Sequence, residues 1–286
     1  MHPKDALSCI CQLENLSDPN RPFTRHNMDC GKIASVAAPI KQTRVVKRLR
    51  VESLPQFLTA VLEISHADLM LFRGHTDRRW TLTPTLGRAP LRGGTREVVE
   101  RNLVRGFQAE CLPHLQNELK DEWDVLAMAQ HHGLMTRLLD WSENPLAALW
   151  FAVRVPAFPN FLGTVWVFVP EDDDLADKQD GSPFQATQAR TLFFRPSHLT
   201  PRIVAQRGWF SVHRYAAATD RFSTLERIPR YRNRLHRIDI PSGAFSDLRW
   251  ELDRVGINQA TMFPGLDGLS GQLNWLHTQL ADEGSP

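Results

Sequence analysis

The stretch Phe72-Arg73-Gly74-His75 ends the apolar run LMLFRG and combines residue types that can hold an anion. An arginine at the end of a buried strand is costly without an anionic partner. Its planar fork suits a carboxylate, a phosphate or a pyrophosphate. Two interpretations of Arg73 therefore stay open. It binds a ligand anion, or it forms a structural ion pair, with Asp140 as the candidate partner.

A second polar cluster, in AQHHGLMTRLLDW, contains Gln130, His131, His132, Arg137 and Asp140. Adjacent histidines on a helix point about 100° apart, so they do not easily bind one metal ion. One of them can face a cleft while the other packs against the helix end. The arginine and the aspartate lie just beyond the predicted helix, where a bracing network and a binding site are equally good interpretations.

The third cluster is Gln206, Ser211 and His213 within RIVAQRGWFSVH, which is predicted as a strand over 202–213. Residues two apart on a strand share one face, so Ser211 and His213 invite a hydrolase hypothesis. No oxyanion-hole signature supports it, and a structural role is favoured. We expect Arg73, His75 and Gln206 to converge on one cleft with Gln130, His132, Arg137 and Asp140.

Known cofactor and metal signatures are absent from the sequence. It contains no Walker loop, no G-x-G-x-x-G, no H-E-x-x-H, no G-x-S-x-G and no C-x-x-C. Cys9, Cys11 and Cys30 with His26 do not have the spacing of a zinc knuckle, so free thiols are favoured over a metal site. No metal ligand is predicted.

The composition is that of an ordinary globular protein. The chain has 286 residues, of which 42% are hydrophobic and 23% charged, and a net charge of +2. This charge is too small to indicate nucleic-acid binding by itself. No apolar run reaches the roughly 18 residues of a membrane span, and the N-terminus lacks a secretory pattern. We expect a cytoplasmic protein without a membrane partner.

Hydrophobic periodicity predicts the elements that position these residues. Helices are expected over 53–64, 95–112 and 122–133, then after Ser142 as N-cap with Pro145 in the first turn, and again in the last 45 residues or so. Strands are expected over 69–74, 163–170, 202–213 and 234–241. The fold class is α+β, with helices leading and a mostly antiparallel sheet in the second half. Residues 1–48 are predicted as a partly disordered extension, and 49–280 as one domain.

Four blocks, LFRGHTDRRWTLTPTLGR, LAMAQHHGLMTRLLDWSENPLAALWFA, RIVAQRGWFSVH and GINQATMFPGLDGLSGQL, resemble the FRG domain in the order of that family. The resemblance runs from about Val51 to Leu273. It implies a bacterial or phage-borne protein of a toxin or defence setting. The block layout is also similar to that of ADP-ribosyltransferases, which implies an ADP-ribosyltransferase-like fold and NAD as substrate.

That second similarity assigns roles to individual residues. Arg73 takes the place of the NAD-holding arginine, and Ser142 that of the pocket hydroxyl. Gln206 stands where those enzymes have a catalytic glutamate, and an amide keeps the hydrogen bond but loses the charge. Asp140 is then the best candidate carboxylate; Glu226 and Glu251 could supply one from elsewhere, but no pattern selects either. The implied catalytic residues are Arg73, Asp140 and Gln206, and the implied NAD-binding residues are Arg73, Gly74, His75, Gln130, His131, His132, Arg137, Trp141, Ser142 and Asn144.

The resemblance implies an NAD-dependent ADP-ribosyltransferase or NAD-cleaving effector that acts on a macromolecule, with DNA or RNA among the candidate targets. The alternatives are a non-catalytic nucleotide- or nucleic-acid-binding module in phage defence, and an interaction protein with a vestigial pocket. Catalysis predicts a deep pocket that holds Arg73 with Gln206, and a binding module predicts a shallow basic groove. Nine arginines suit a phosphate backbone or a solvated surface: Arg202, Arg207, Arg214, Arg221, Arg227, Arg230, Arg232, Arg234 and Arg237. No feature selects an oligomeric state.

Overall fold

The structure, a computed structural model, describes residues 47–115, 119–157, 160–176, 181–187, 189–197 and 200–283. The predicted extension, except its last two residues, and the cysteine–histidine group of residues 9, 11, 26 and 30 lie outside these ranges. The described elements belong to one compact unit, Thr43–Pro286.

The strands of the described chain are β1 (Arg48–Arg50), β2 (Leu71–His75), β3 (Leu138–Ser142), β4 (Leu162–Phe168), β5 (Leu192–Phe194), β6 (Gly208–Val212), β7 (Tyr215–Ala216), β8 (Arg221–Phe222) and β9 (Leu235–Pro241). The helices are α1 (Leu54–Ile64), α2 (Thr85–Arg88), α3 (Arg96–Glu110), α4 (Glu122–His131), α5 (Pro145–Val153), α6 (Pro183–Ala186), α7 (Pro201–Ala205), α8 (Pro229–Arg232), α9 (Phe245–Arg254), α10 (Gln259–Met262) and α11 (Leu266–His277). Side chains fix several helix starts: Thr95 and Asp121 accept hydrogen bonds from backbone N–H groups three residues ahead.

Seven strands form one sheet in the order β1-β9-β4-β2-β3-β6-β5, and β7 and β8 form a separate hairpin. Every pair in the large sheet is antiparallel except β1 with β9 at one edge. The predicted α+β class and the mostly antiparallel sheet are confirmed. Three of its strands, β1, β2 and β3, come from the first half of the chain, and β2 corresponds to the strand predicted over 69–74.

Apolar side chains cover both faces of this sheet. Helices α1, α5 and α9 pack on one face, over inward residues that include Phe72, Val165 and Ile238. The opposite face carries an aromatic cluster with Trp141, Phe168 and Phe193. A third cluster places α4 against β3, β5 and β6. The core therefore holds β2 and β3 firmly at the middle of the sheet.

The pairing between β2 and β3 is the least extensive in the large sheet. Their only register pair is Phe72 with Ser142, while β2 pairs with β4 over all five of its residues. Beyond that pair the two strands separate, so backbone groups on both edges must find other partners. This opening between neighbouring strands is where the candidate site lies.

Two local predictions were wrong. Residues 202–213 are not one strand: Pro201–Ala205 is a helix, and β6 begins at Gly208. The Thr200 hydroxyl accepts from Ile203 N at 3.2 Å, and Pro201 follows in the first turn, which is a helix-start signal. The N-cap of α5 is Asn144, whose Oδ1 accepts from Leu146 N at 3.0 Å, and Ser142 is the last residue of β3.

Candidate functional site

A cavity of about 510 Å³ opens where β2 and β3 separate, with α5 and α7 on its other sides. This size lies within the range of about 300–1,000 Å³ that ligand pockets usually have. Nine of the residues predicted for the site line the cavity: Arg73, Gly74, His75, Gln130, His131, Asp140, Trp141, Ser142 and Gln206. His132, Arg137 and Asn144 do not line it. The expected convergence of Arg73 and Gln206 on one cleft is therefore present.

Arg73 bridges the gap between the two strands. Its Nη1 donates to the backbone oxygen of Asp140 at 2.6 Å and lies 3.6 Å from the Oδ2 atom of the same residue. Its Nε donates to Nε2 of His75 at 2.9 Å. Burial lowers the pKa of Arg73, the carboxylate of Asp140 opposes that shift, and the guanidinium stays charged. Arg73 thus replaces a missing ladder hydrogen bond and brings a cation to the cavity wall.

His75 is held neutral beside this guanidinium. Burial, and then the charge of Arg73, lower the pKa of His75 to about 3. Since Nε2 accepts from Arg73, the ring proton must be on Nδ1. That Nδ1 faces the backbone of Trp80 but has no hydrogen bond of normal geometry within the described chain. His75 is 4% exposed, so its neutral ring is a buried part of the cavity wall that holds the Arg73 guanidinium in place.

Gly74 lets helix α5 contact the sheet backbone directly. A Cβ atom at this position would lie 2.7 Å from Ala152 N and closer still to Ala148 O. Only glycine permits this approach. Gly74 was predicted as a cofactor-binding residue. It lines the cavity, and its packing also fixes the end of α5, where Arg154 reaches the cavity.

Asp140 supplies the carboxylate among the described residues that line the cavity. Its side chain is 56% exposed. Gln130 Nε2 donates to Asp140 Oδ2 at 3.2 Å, and Gln130 Oε1 accepts from Thr136 Oγ1 at 2.7 Å. Strand β3 and the end of α4 therefore hold this carboxylate in a fixed place at the cavity wall.

Arg137 does not belong to the site, contrary to the prediction. It is 3% exposed and pairs with Glu100, which is fully buried: Nη2 and Nε lie 2.7 and 2.8 Å from Oε2. The backbone N–H of Arg137 also donates to Glu100 Oε1 at 2.8 Å. The guanidinium lies 4.7 Å from the ring centre of Phe184. This pair braces α3 against β3, which is the alternative that the sequence left open.

Gln206 and Ser142 line the cavity with their polar groups already engaged. Gln206 is the C-cap of α7, and its Nε2 donates to the backbone oxygen of Met262 at 3.0 Å. The Ser142 hydroxyl donates to Gln206 O at 2.6 Å and accepts from Asn144 N at 2.9 Å. Both residues join α7 to β3 and α10. The predicted catalytic position of Gln206 on a strand does not occur.

The remaining predicted residues differ in exposure. His131 is half-buried at the cavity wall, and burial with nearby Arg202 lowers its pKa to about 4. His132 is exposed outside the cavity, and Asn144 serves as a helix cap. Trp141 packs in the aromatic cluster of the sheet face and is 3% exposed, so its ring belongs to the core.

Ser211 and His213 form a buried polar network. Ser211 Oγ lies 3.0 Å from His213 Nε2 and accepts from Trp141 Nε1 at 2.9 Å, and His213 Nδ1 lies 2.7 Å from the backbone oxygen of Ser223. Burial lowers the pKa of His213 to about 4, so the ring is neutral. Both residues are fully buried, which leaves no access for a substrate. The structural interpretation of this pair is favoured.

Several residues that line the cavity were not among those predicted for the site. They are the basic residues Arg88, Arg154 and Arg202 and the aromatic residues Trp80 and Phe151. Burial lowers the pKa of Arg154, and burial opposed by Asp140 lowers that of Arg202. Within the described chain neither arginine pairs with an acidic group, and Arg202 Nε is buried without a hydrogen bond. Their helices gave no sequence signal that pointed toward Arg73.

Among residues 47–283, as far as they are described, no group of three or more His, Cys, Asp or Glu side chains could hold a metal ion. In the same part of the chain no helix is both long and apolar enough to cross a membrane.

Comparison with known proteins gives one family. The FRG domain family matches residues 68–159, about a third of the chain, from just before β2 to just after α5. No curated protein and no solved structure matches the chain. The matched segment contains Arg73, Gly74, His75, Gln130 and Asp140, so it supplies part of the cavity wall, while Arg202 and Gln206 lie beyond it. The protein carries an FRG domain.

Proposed function

We propose that this FRG domain binds a phosphorylated nucleotide, NAD or a relative of it, in the cavity between β2 and β3. The observation that carries the proposal is the charge of the cavity wall. Among the described residues that line the cavity, four are arginines, Arg73, Arg88, Arg154 and Arg202, and one, Asp140, carries a carboxylate. Arginine forks suit phosphate oxygens, and guanidinium groups that approach one another in a partly buried wall repel unless an anion joins them.

The aromatic residues of the cavity support the same proposal. Trp80 is 52% exposed at the wall, and Phe151 is half-buried opposite the sheet. Exposed tryptophan beside cations is typical of sites that stack a flat ring and bind phosphate together.

Ligand-dependent thermal unfolding tests the proposal. NAD, ADP-ribose and ATP should raise the melting temperature, while adenosine and nicotinamide, which lack phosphate, should have little effect. At a ligand concentration of about 100 Kd the stabilisation is about 2.7 kcal/mol, or roughly 5–10 °C for a domain of this size. Failure of all three phosphorylated compounds at millimolar concentration would show that the basic cavity is not a nucleotide site.

A pair of variants separates local from general charge effects. Arg202→Gln removes a cavity cation, and Arg105→Gln removes an exposed arginine of α3 that does not line this cavity. We expect the first variant to lose most of the NAD-induced shift and the second to keep it. Equal shifts in the two variants would count against a cavity-bound phosphate.

NAD cleavage or ADP-ribosyl transfer is a second candidate, favoured by the exposed carboxylate of Asp140. In this reaction the bond between nicotinamide and ribose breaks, and nicotinamide leaves with the electron pair. A carboxylate near the ribose stabilises the positive charge that develops, and water or an acceptor nucleophile attacks the sugar carbon. Because Gln206 Nε2 already binds Met262 O, Asp140 is the better candidate for this role.

Nicotinamide release distinguishes the two candidates. The protein is incubated with NAD together with mixed DNA, RNA and protein, and Asp140→Asn is the matched variant. Catalysis predicts release by the parent protein and loss of release, with NAD binding retained, in the variant. NAD binding without any release would leave a nucleotide-binding module, the alternative that fits the phage-defence setting implied by the family resemblance.

A further inference from the structure

A second depression, the arginine groove, lies beside the cavity between β2 and β3. It has a volume of about 320 Å³, and five of its lining residues are arginines: Arg48, Arg78, Arg79, Arg232 and Arg237. The acidic residue in its lining is Glu226, whose carboxylate accepts the backbone N–H of Leu82. The groove therefore presents a strongly basic surface.

The register of the sheet connects this groove to the cavity. Arg48 of β1 is opposite Arg237 of β9, Arg237 is opposite Trp166 of β4, and Trp166 is opposite Arg73 of β2. Directly opposed residues in neighbouring strands share a face, so this row crosses four strands on one side of the sheet. Trp80 and Thr81 line both the groove and the cavity. The two depressions are thus neighbours that share part of their wall.

The groove keeps positive charge that the fold does not neutralise. Arg79 pairs with Asp77 at 2.6 Å, while Arg78 and Arg237 share Asp239 at 3.7 and 2.9 Å. Arg48 and Arg232 are exposed and have no acidic partner in the described residues. Like charges directly opposite each other across a strand pair, as Arg48 and Arg237 are, destabilise a sheet. An anionic chain in the groove would relieve this repulsion.

We infer that the arginine groove binds the sugar–phosphate backbone of a single-stranded nucleic acid. The guanidinium groups contact successive phosphates, and Trp80, which is half exposed between groove and cavity, stacks on a base. A base in a duplex has its faces covered by its neighbours, so an exposed indole at this point favours a single strand. A nucleotide of the same strand could enter the neighbouring cavity, and that step rests on the proposed function. Binding of the strand in the groove does not depend on it.

Fluorescence anisotropy with the full chain tests this inference. The probe is a labelled single strand of about 12 nucleotides, as DNA and as RNA, titrated at several salt concentrations. Arg48→Gln combined with Arg232→Gln should weaken binding several-fold. The slope of log affinity against log salt should become shallower by about 1.4, since each lost phosphate contact contributes about 0.7. Trp80→Ala should weaken binding roughly tenfold, as expected for the loss of one stacked base.

The matched control is Arg105→Gln combined with Arg254→Gln, which removes the same charge from exposed positions outside the groove. This control should keep the parent slope. Equal losses in the two double variants, or tighter binding of a duplex of the same sequence, would overturn the inference. NAD-induced stabilisation is measured on the parent protein as well. If the parent is stabilised by NAD but does not bind the oligonucleotide, the groove inference alone has failed; if the parent binds the oligonucleotide but is not stabilised by NAD, the nucleotide proposal alone has failed.

Discussion

Gly74→Ala should destabilise the protein, because helix α5 lies directly on the backbone of β2. The added Cβ would be 2.7 Å from Ala152 N and closer to Ala148 O, whereas ordinary contact begins at 3.4 Å. Both neighbours are backbone atoms of helix α5, so they cannot rotate away as a side chain can. The whole of α5 must retreat from the sheet by at least about 0.7 Å.

The expected loss of stability follows from the core residues that α5 contributes. The residues Ala147, Ala148, Leu149, Ala152 and Val153 are all 1% exposed or less and form the centre of the core over β2 and β4. Overpacking of such a core costs about 1–3 kcal/mol, and the backbone clash places this substitution at the upper end. A loss of about 3 kcal/mol lowers the melting temperature of a domain of this size by about 6–12 °C.

Differential scanning calorimetry of Gly74→Ala beside Gly106→Ala provides the comparison. Gly106 lies inside α3, and a Cβ there meets nothing within 4 Å. Alanine at that position should raise stability by about 1 kcal/mol, since glycine is a poor helix former. Opposite signs for the two substitutions are expected. If Gly74→Ala melts within about 2 °C of the parent, the close approach of α5 is wrong, and so is the role assigned to the motif glycine.

Three further outcomes are expected. Glu100→Gln leaves the buried charge of Arg137 without its partner, so it should cost about 3–5 kcal/mol in thermal unfolding while the NAD-induced shift is retained. The pKa values of His75 and His213 are lowered from 6.5 to about 3 and about 4, so the folded state binds fewer protons than the unfolded state; stability should fall as pH drops below about 6.5, and a melting temperature that is flat between about pH 7 and 5 would contradict this. Asp140→Asn removes the carboxylate among four cavity cations, so NAD should bind as well or more tightly by calorimetry, and weaker binding would mean that Asp140 contacts the ligand favourably.

Part of the site was predictable because strand and helix ends are visible in a sequence. Arg73 and His75 end an apolar run, Gln130 lies near a glycine-terminated helix, and Asp140 precedes an aromatic in a strand. Polar residues at such ends converge where the elements meet, and these four do line one cavity. The family match over residues 68–159 covers the same elements.

Other parts could not be predicted because they depend on long-range packing. Arg137 has the same residue type and setting as Arg73, and only its contact with Glu100, 37 positions earlier, makes it structural. Arg154 and Arg202 reach the cavity because α5 and α7 pack beside β2 and β3, which no local pattern encodes. Gln206 was misplaced for a different reason: the Thr-Pro start of α7 outweighs the strand-like sequence that follows it.

Successive side chains of β2 point to opposite faces of the sheet. This explains why the four consecutive residues Phe72 to His75 serve different roles. Phe72 and Gly74 point toward α5, where one fills the core and the other permits close approach. Arg73 and His75 point the other way, where a guanidinium and a neutral imidazole meet the opening beside β3. A shift of one residue would bury the charge and expose the phenyl ring. Because Arg73 binds the backbone carbonyl of Asp140, the same side chain that offers a phosphate contact also links β2 to β3 across the opening. An anion that binds this guanidinium therefore competes with the hydrogen bond that links the two strands.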